Sequence, residues 1–290
     1  MPIPHEFDYI RPVTLNEALD VLGRYGKNAR VLAGGTDLAN MLKQGFPVPE
    51  MMVDIKGLSD LATIEEKDNV LYIGALATFS DILASGLIKD KFCLLWQAAH
   101  KVASTGIRNR ATMVGNICSA VACMDSAAPL LVHDAVIHLK SLTGERLLSV
   151  NQWFVDNRKT AIKEDEIVTG VSIALPLQKY AGSYQKLMRY SGEDLSQANV
   201  GVLALADGTF RVAFGSVGPI PKRSLKIEHF LAHKNITPEV LEEAKNMIET
   251  VIAPITDVRA TKEYRMHMTK VMFERGLKEA LAELQKIKGD

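Results

Sequence analysis

Residues Ala103–Asp125 read ASTGIRNRATMVGNICSAVACMD. The stretch has no clear helical or strand period and is rich in small and polar residues. Thr112, Met113, Val114, Gly115 and Asn116 sit together, with Ser119 and Ala120 just beyond. Backbone with small side chains can approach a ligand closely. Successive N–H groups in such turns form a concavity that holds phosphate, and Thr and Asn add side-chain hydrogen bonds. The same residues also fit a buried turn whose polar groups satisfy one another. From this stretch alone both readings stand.

A second stretch, VLAGGTDL, shifts the balance. Val31, Leu32 and Ala33 end an apolar strand. Gly34 and Gly35 make a turn, and Thr36 and Asp37 open a helix at Leu38. In a strand–glycine turn–helix start, N–H groups converge on an anion. The spacing is neither G-x-G-x-x-G nor a Walker loop. Together the two stretches predict a long ligand with a diphosphate, held between two loops. An ordinary strand-to-helix turn is the alternative for Val31–Leu38.

With 290 residues and 47% hydrophobic content, the chain suits two or three globular domains. Lys+Arg equals Asp+Glu, 34 each, so nothing points to nucleic acid or to a polybasic membrane contact. MPIPHEFDYIRP lacks a signal-peptide apolar core, and no apolar run approaches the roughly 18 residues of a membrane span. Three cysteines, Cys93, Cys118 and Cys123, fit a reducing cytoplasm rather than a disulfide framework. They cannot complete a four-thiolate cluster, so no metal site is expected.

Along the chain, Thr14 and Glu17 form a capping box for a helix stopped near Gly26. Strand 30–33, helix 37–44 and strand 51–55 make a small parallel unit, bounded near residue 56. Segments 61–65 and 70–73 flank a turn at Lys67-Asp68-Asn69. Helices are expected over 78–85, 90–102 and 127–132, and strands over 135–140, 146–150 and 167–173. This middle region, 57–177, reads as mixed and mostly antiparallel. In 178–290, strands 183–190, 200–206 and 209–217 form a three-stranded sheet. Asp207-Gly208 is its hairpin turn, and Pro219 and Pro221 end it. Thr237-Pro238 caps a helix, and a last helix spans 262–286. The fold class is α+β. The seven histidines show no H-E-x-x-H spacing and there is no G-x-S-x-G elbow, so no catalytic residue is expected in this chain.

AGGTDL, the IRN-x-x-T-x-x-GN segment, VAFGSVGPIP and DVRATKEYR, in this order, resemble one family. It is the FAD-binding subunit or domain of the molybdenum hydroxylases, of the xanthine dehydrogenase and carbon monoxide dehydrogenase type. The resemblance runs along nearly the whole chain. It implies an FAD-binding fold of the PCMH type, with a flavoprotein-like C-terminal domain. It implies an oxidoreductase subunit with FAD as cofactor, in a hetero-oligomer with a [2Fe–2S] small subunit and a molybdopterin large subunit. Electrons would pass to NAD or another acceptor. A self-contained FAD oxidoreductase and a scaffold that has lost FAD are the alternatives.

Carried over residue by residue, the resemblance assigns Val31–Leu38 and Thr112–Asn116 to FAD and its diphosphate. Many relatives have T-x-G-G-N where this chain has Thr-Met-Val-Gly-Asn, so a positive φ at Val114 would be strained. Asp125 matches an acidic contact to FAD, with a helix N-cap as its ordinary alternative. Ala103 matches a small backbone contact. Val168 matches an apolar or main-chain contact, or is a core strand residue. Lys186 matches a cofactor-contacting lysine, whose cation would favour the anionic reduced flavin. Asp257–Arg265 reads as a loop plus helix cap.

Overall fold

The computed structural model describes residue 3 and residues 6–190 and 192–289. Strand β1 (Asp8–Ile10) leads into α1 (Leu15–Tyr25), β2 (Ala29–Leu32), α2 (Leu38–Lys43) and β3 (Met51–Asp54). Both outer strands run parallel to β3, in the order β1-β3-β2. The β2–α2–β3 unit is as expected, while β1 adds a third strand too short to carry a period. Helix α1 starts where the Thr14 hydroxyl accepts the Glu17 amide at 3.1 Å. The returning Glu17 carboxylate takes the Val13 amide at 2.8 Å rather than that of Thr14.

The middle region opens with the hairpin β4 (Ile64–Lys67) and β5 (Val70–Gly74), turned by Asp68 and Asn69 at φ 53° and 60°. Helices α3 (Phe79–Ala84), α4 (Gly86–Lys91), α5 (Cys93–His100), α6 (Thr105–Arg108), α7 (Met113–Ser119) and α8 (Ala127–Val132) follow. Strands β6 (Val136–Ser141), β7 (Gly144–Ser149), β8 (Phe154–Asp156), β9 (Lys159–Thr160) and β10 (Ile167–Ala174) close the region. One antiparallel sheet has the order β4-β5-β10-β6-β7, with β8-β9 a separate ribbon. The single helix expected over 90–102 is two. Phe92 leaves helical geometry (φ −137°, ψ 52°) and buries its ring in the core. The stretch 103–125, read as aperiodic turn, contains α6 and α7. Each is too short to show a period and is started by a hydroxyl cap, Ser104 and Thr112 respectively.

Beyond it, β11 (Tyr180–Leu187), β12 (Ala198–Leu205), β13 (Phe210–Gly215) and β14 (Lys222–Arg223) form an antiparallel sheet. It therefore has four strands, not three. The chain rejoins it after Pro221, where the Arg223 guanidinium grips Glu228 at 2.7 and 2.8 Å. Helices α9 (Leu225–Leu231), α10 (Pro238–Met247) and α11 (Lys262–Gly289) complete the chain. Helix α11 lies across β11 and β12 and buries Met272, Phe273, Leu277 and Ala280 against them. This sheet and its helices share one core around Val202, Phe214 and Phe273. A larger core, including Leu19, Ile73, Phe79 and Trp153, joins the first two regions.

The larger core packs on this last sheet through α8 on β12, β13 and β14 and through α5 on the free edge of β11. The side-chain amide of Gln97 on α5 acts there like one residue of a missing strand. Its oxygen accepts the Tyr184 amide at 2.8 Å, and its nitrogen donates to the Gly182 carbonyl at 3.3 Å. This covers backbone groups that an edge strand otherwise leaves open. No helix among the described residues is long and apolar enough to cross a membrane.

Candidate functional site

The turn between β2 and α2 is shaped by its two glycines. Gly35 has φ 75°, a conformation that L side chains rarely adopt. Gly34 lies against Arg110, where a Cβ would be 2.1 Å from the carbonyl oxygen. The turn thus docks directly on the segment that leads into α7. Val31, Leu32, Ala33, Gly34, Gly35, Thr36, Asp37 and Leu38 are all half-buried. The amides of Gly34, Gly35, Thr36 and Asp37 make no hydrogen bond among the described residues. Asp37 reaches α7 itself, its Oδ2 lying 2.7 Å from the Ser119 hydroxyl. Ser119 was no part of the expected site.

The α7 start is held from behind by the connection between β5 and α3. Met113 N–H donates to the Ala77 carbonyl at 3.3 Å, and Phe79 N–H to that of Ala111 at 3.0 Å. Thr112 caps the helix through its hydroxyl, which accepts the Gly115 amide at 3.0 Å. The strain expected at Val114 does not arise, because the residue is helical and absent from the positive-φ positions. Only 2% exposed, it packs with Met113 into the core rather than lining a cleft. Gly115 and Asn116 are half-buried. Asn116 Oδ1 accepts the Ser126 hydroxyl at 2.5 Å, while its amino group has no partner among the described residues.

Asp125 does not cap α8. Ser126 occupies the N-cap position and makes no capping bond. The Asp125 carboxylate is claimed instead by β11. Its Oδ1 accepts the Tyr184 hydroxyl at 2.7 Å and its Oδ2 the Lys186 ammonium at 2.8 Å. Burial raises the Asp125 pKa, and Lys186 and the Tyr184 hydrogen bond oppose that rise. The Lys186 side chain is 1% exposed and also donates to the Lys101 carbonyl at 2.8 Å. That bond brings it to the turn containing Ala103, which sits at φ 32° and gives its carbonyl to Arg108 at 2.8 Å. Val168 is buried in β10 opposite Leu139, just before a register shift. It is not bonded to the others, although α7 packs on its strand.

Tyr184 was missed by sequence reasoning. The available signal was its spacing of two from Lys186, which puts both side chains on one face of a strand. The Asp257–Arg265 segment is a loop and cap, with the Thr261 hydroxyl accepting the Tyr264 amide at 3.2 Å. It also anchors the neighbouring loops. Arg265 is buried and donates to the Gln197 carbonyl at 2.7 Å and to Asp257 at 2.6 Å. Among the described residues, no group of three or more His, Cys, Asp or Glu side chains could hold a metal ion. Burial pushes the Cys118 thiol up to about 12.

Residues 5–177 match the family described as the FAD binding domain in molybdopterin dehydrogenase. The chain belongs to that family. Residues 182–280 match the CO dehydrogenase flavoprotein C-terminal domain. The chain is 29% identical to the carbon monoxide dehydrogenase medium chain of Hydrogenophaga pseudoflava, covering 97% of this chain and 99% of that one. It is 30% identical to the xanthine dehydrogenase FAD-binding subunit of Escherichia coli O157:H7, covering 94% and 96%. The solved carbon monoxide dehydrogenase of H. pseudoflava superposes with a TM-score of 0.93 at 29% identity, over 97% of this chain and 99% of that one. The chain is therefore an FAD-binding oxidoreductase subunit of the molybdenum hydroxylase type. Its residues fit that cofactor. The unpaired amides of residues 34–37 and the free Asn116 amino group are donors suited to a diphosphate, and the Lys186 ammonium is bonded to Asp125 on the loop that follows α7.

Proposed function

We propose that this chain is the electron-transfer flavoprotein of a multi-subunit molybdenum hydroxylase. In this reading, electrons arrive from a [2Fe–2S] small subunit, after a molybdopterin large subunit has oxidised the organic substrate. They leave to NAD or another acceptor. Bound FAD would supply the redox chemistry, taking electrons singly and releasing one or two. The complex is assigned to the cytoplasm. We read the chain as three units, 1–56, 57–177 and 178–290, whose main sheets are separate.

The observation that carries the reading is the docking of the β2–α2 turn on the start of α7, through Gly34 on Arg110 and Asp37 on Ser119. It supports one shared site for two sets of donors. The amides of 34–37 and the Asn116 amino group would bind the diphosphate. Ala103, Val168 and Thr112–Asn116, where Met113 and Val114 offer backbone only, would frame the cofactor, and Asp125 and Lys186 would set the charge beside the flavin. Strain at Val114 would have favoured a scaffold without FAD, and a helical, core-packed Val114 carries no such strain.

The test is anaerobic bleaching of the flavin in the purified chain, with and without copurifying molybdenum and iron subunits. FAD, not FMN, should be released on denaturation. Organic substrates should bleach the flavin only when the partners are present. Rapid bleaching of the isolated chain by a purine, an N-heterocycle or an aldehyde would instead make it a self-contained oxidoreductase.

A further inference from the structure

Tyr184 and Lys186 project from one face of β11 and divide the Asp125 carboxylate between them, one oxygen each, at 2.7 and 2.8 Å. Asp125 sits on the loop between α7 and α8, so the three side chains tie that loop to β11, with the Tyr184 ring in the larger core. All three are buried. Burial and the neighbouring Asp125 charge push the Tyr184 pKa well up, so the phenol is a permanent donor. An ammonium has three protons to donate. Lys186 gives one to Asp125 and one to the Lys101 carbonyl, and the third has no partner among the described residues. Half-buried Cys123 stands two residues before Asp125 on the same loop; burial raises its pKa, Arg259 lowers it, and the Asp125 and Asp37 charges add to the rise. The triad is thus tied to the α7–α8 loop, and α7 itself reaches the β2–α2 turn through Ser119 and Asp37.

We propose that Tyr184 is a positioning residue of the cofactor site: its hydroxyl fixes the Asp125 carboxylate, and through it the Lys186 ammonium, behind the Cys123–Asp125 loop. The inference rests on the FAD reading above and goes beyond it. With the hydroxyl in place, Asp125 is held by two donors that oppose the rise burial imposes on its pKa, and its carboxylate balances the Lys186 charge. Without it, one buried carboxylate oxygen loses its donor, the neutral acid is favoured, and the lysine charge is left uncompensated. An uncompensated cation near the flavin stabilises the reduced anion, so the flavin should become easier to reduce. Loss of the fixed geometry should also loosen the loop and weaken cofactor binding.

The experiment compares wild type and Tyr184→Phe, each purified as the full chain and titrated with FAD. Flavin fluorescence gives affinity, and anaerobic dye equilibration gives the midpoint potential. Failure of the wild type to bind FAD would reject the underlying reading and not this inference alone. If the wild type binds, Tyr184→Phe should bind about tenfold more weakly, the scale of losing one hydrogen bond to a charged group, and its potential should be more positive. Wild-type affinity and potential, even with a lower melting temperature, would make Tyr184 a purely structural residue and overturn the proposal. Should Tyr184→Phe not fold, Asp125→Asn is read instead. It keeps the size and an acceptor for Tyr184 but removes the balancing charge. Its potential should also be more positive, and an unchanged one would overturn the proposal.

Discussion

Replacing Gly34 with alanine tests the loop-on-loop contact at the centre of the site. The added Cβ would lie 2.1 Å from the Arg110 carbonyl oxygen, 2.9 Å from its carbon and 3.0 Å from Ala111 Cα. Ordinary C···O contacts are at about 3.3 Å, so the two loops must separate by about 1 Å. Neither side yields easily. Arg110 and Ala111 donate to the Ile107 carbonyl at 3.0 and 2.7 Å, and the Ala111 carbonyl holds the Phe79 amide at 3.0 Å. Overpacking of this kind costs about 1–3 kcal/mol. Gly34→Ala should therefore lose that much stability in urea unfolding of the apo-protein. It should also weaken FAD binding by about tenfold or more, since tenfold corresponds to about 1.4 kcal/mol and the donors on the two loops move apart. Gly35→Ala is the internal comparison. There the near neighbour is the movable Leu32 Cδ1 at 2.9 Å, and the cost is mainly that of positive φ, about 1–2 kcal/mol. A Gly34→Ala protein with wild-type urea midpoint and FAD affinity would refute the contact.

Gly35→Val should lower FAD occupancy more than it lowers apo-protein thermal stability, because a branched residue at φ 75° reshapes the turn that presents the amides; equal affinity would remove Gly35 from the site. Val114→Ala should cost about 2 kcal/mol of stability through the cavity left in the core, with FAD affinity nearly unchanged; a gain in affinity would show that the valine does obstruct the cofactor. His133 is buried with its Nε2 unpartnered among the described residues, and burial followed by the Arg211 charge lowers its pKa from 6.5 to about 3. The unfolded chain then binds the extra proton first, so this contribution is intact above pH 6.5 and is lost as pH falls toward 3, by at most about 1.4 kcal/mol per pH unit. His133→Phe should flatten the urea midpoint against pH in that window, and an unchanged slope would assign the acid sensitivity to other groups.

What was legible in the sequence was local. Thr14 and Thr237 cap helices with hydroxyls three residues from the amides they accept. Asp207-Gly208 turns a hairpin between two strands in register. Such signals need only a few neighbouring residues. The role of Asp125 was not legible, because its partners are 59 and 61 residues away on another sheet. From its neighbours alone the residue resembles an N-cap, and that appearance is overridden by a buried lysine that needs a counter-charge. Helices α6 and α7 escaped for a different reason. At four and seven residues they are too short for an amphipathic pattern, and their Ser and Thr caps were read as part of a polar turn.

The small residues of the site also serve a different purpose from the one their composition suggests. Glycine-rich loops are expected to admit a ligand, yet Gly34 admits the backbone of Arg110, and the space a side chain would fill is already taken by the protein. The donors on offer come from the unpaired amides that this close approach aligns. Val114 follows from the same arrangement. The Thr112 cap gives α7 a regular first turn whose second position faces the core, so a β-branched residue is accommodated there without positive φ. The second glycine of the double-glycine pattern, Gly115, is the one whose amide the cap engages. A Cβ at Gly115 would lie 2.7 Å from the Thr112 hydroxyl oxygen. The pattern therefore divides into a position open to substitution and a position bound to the cap.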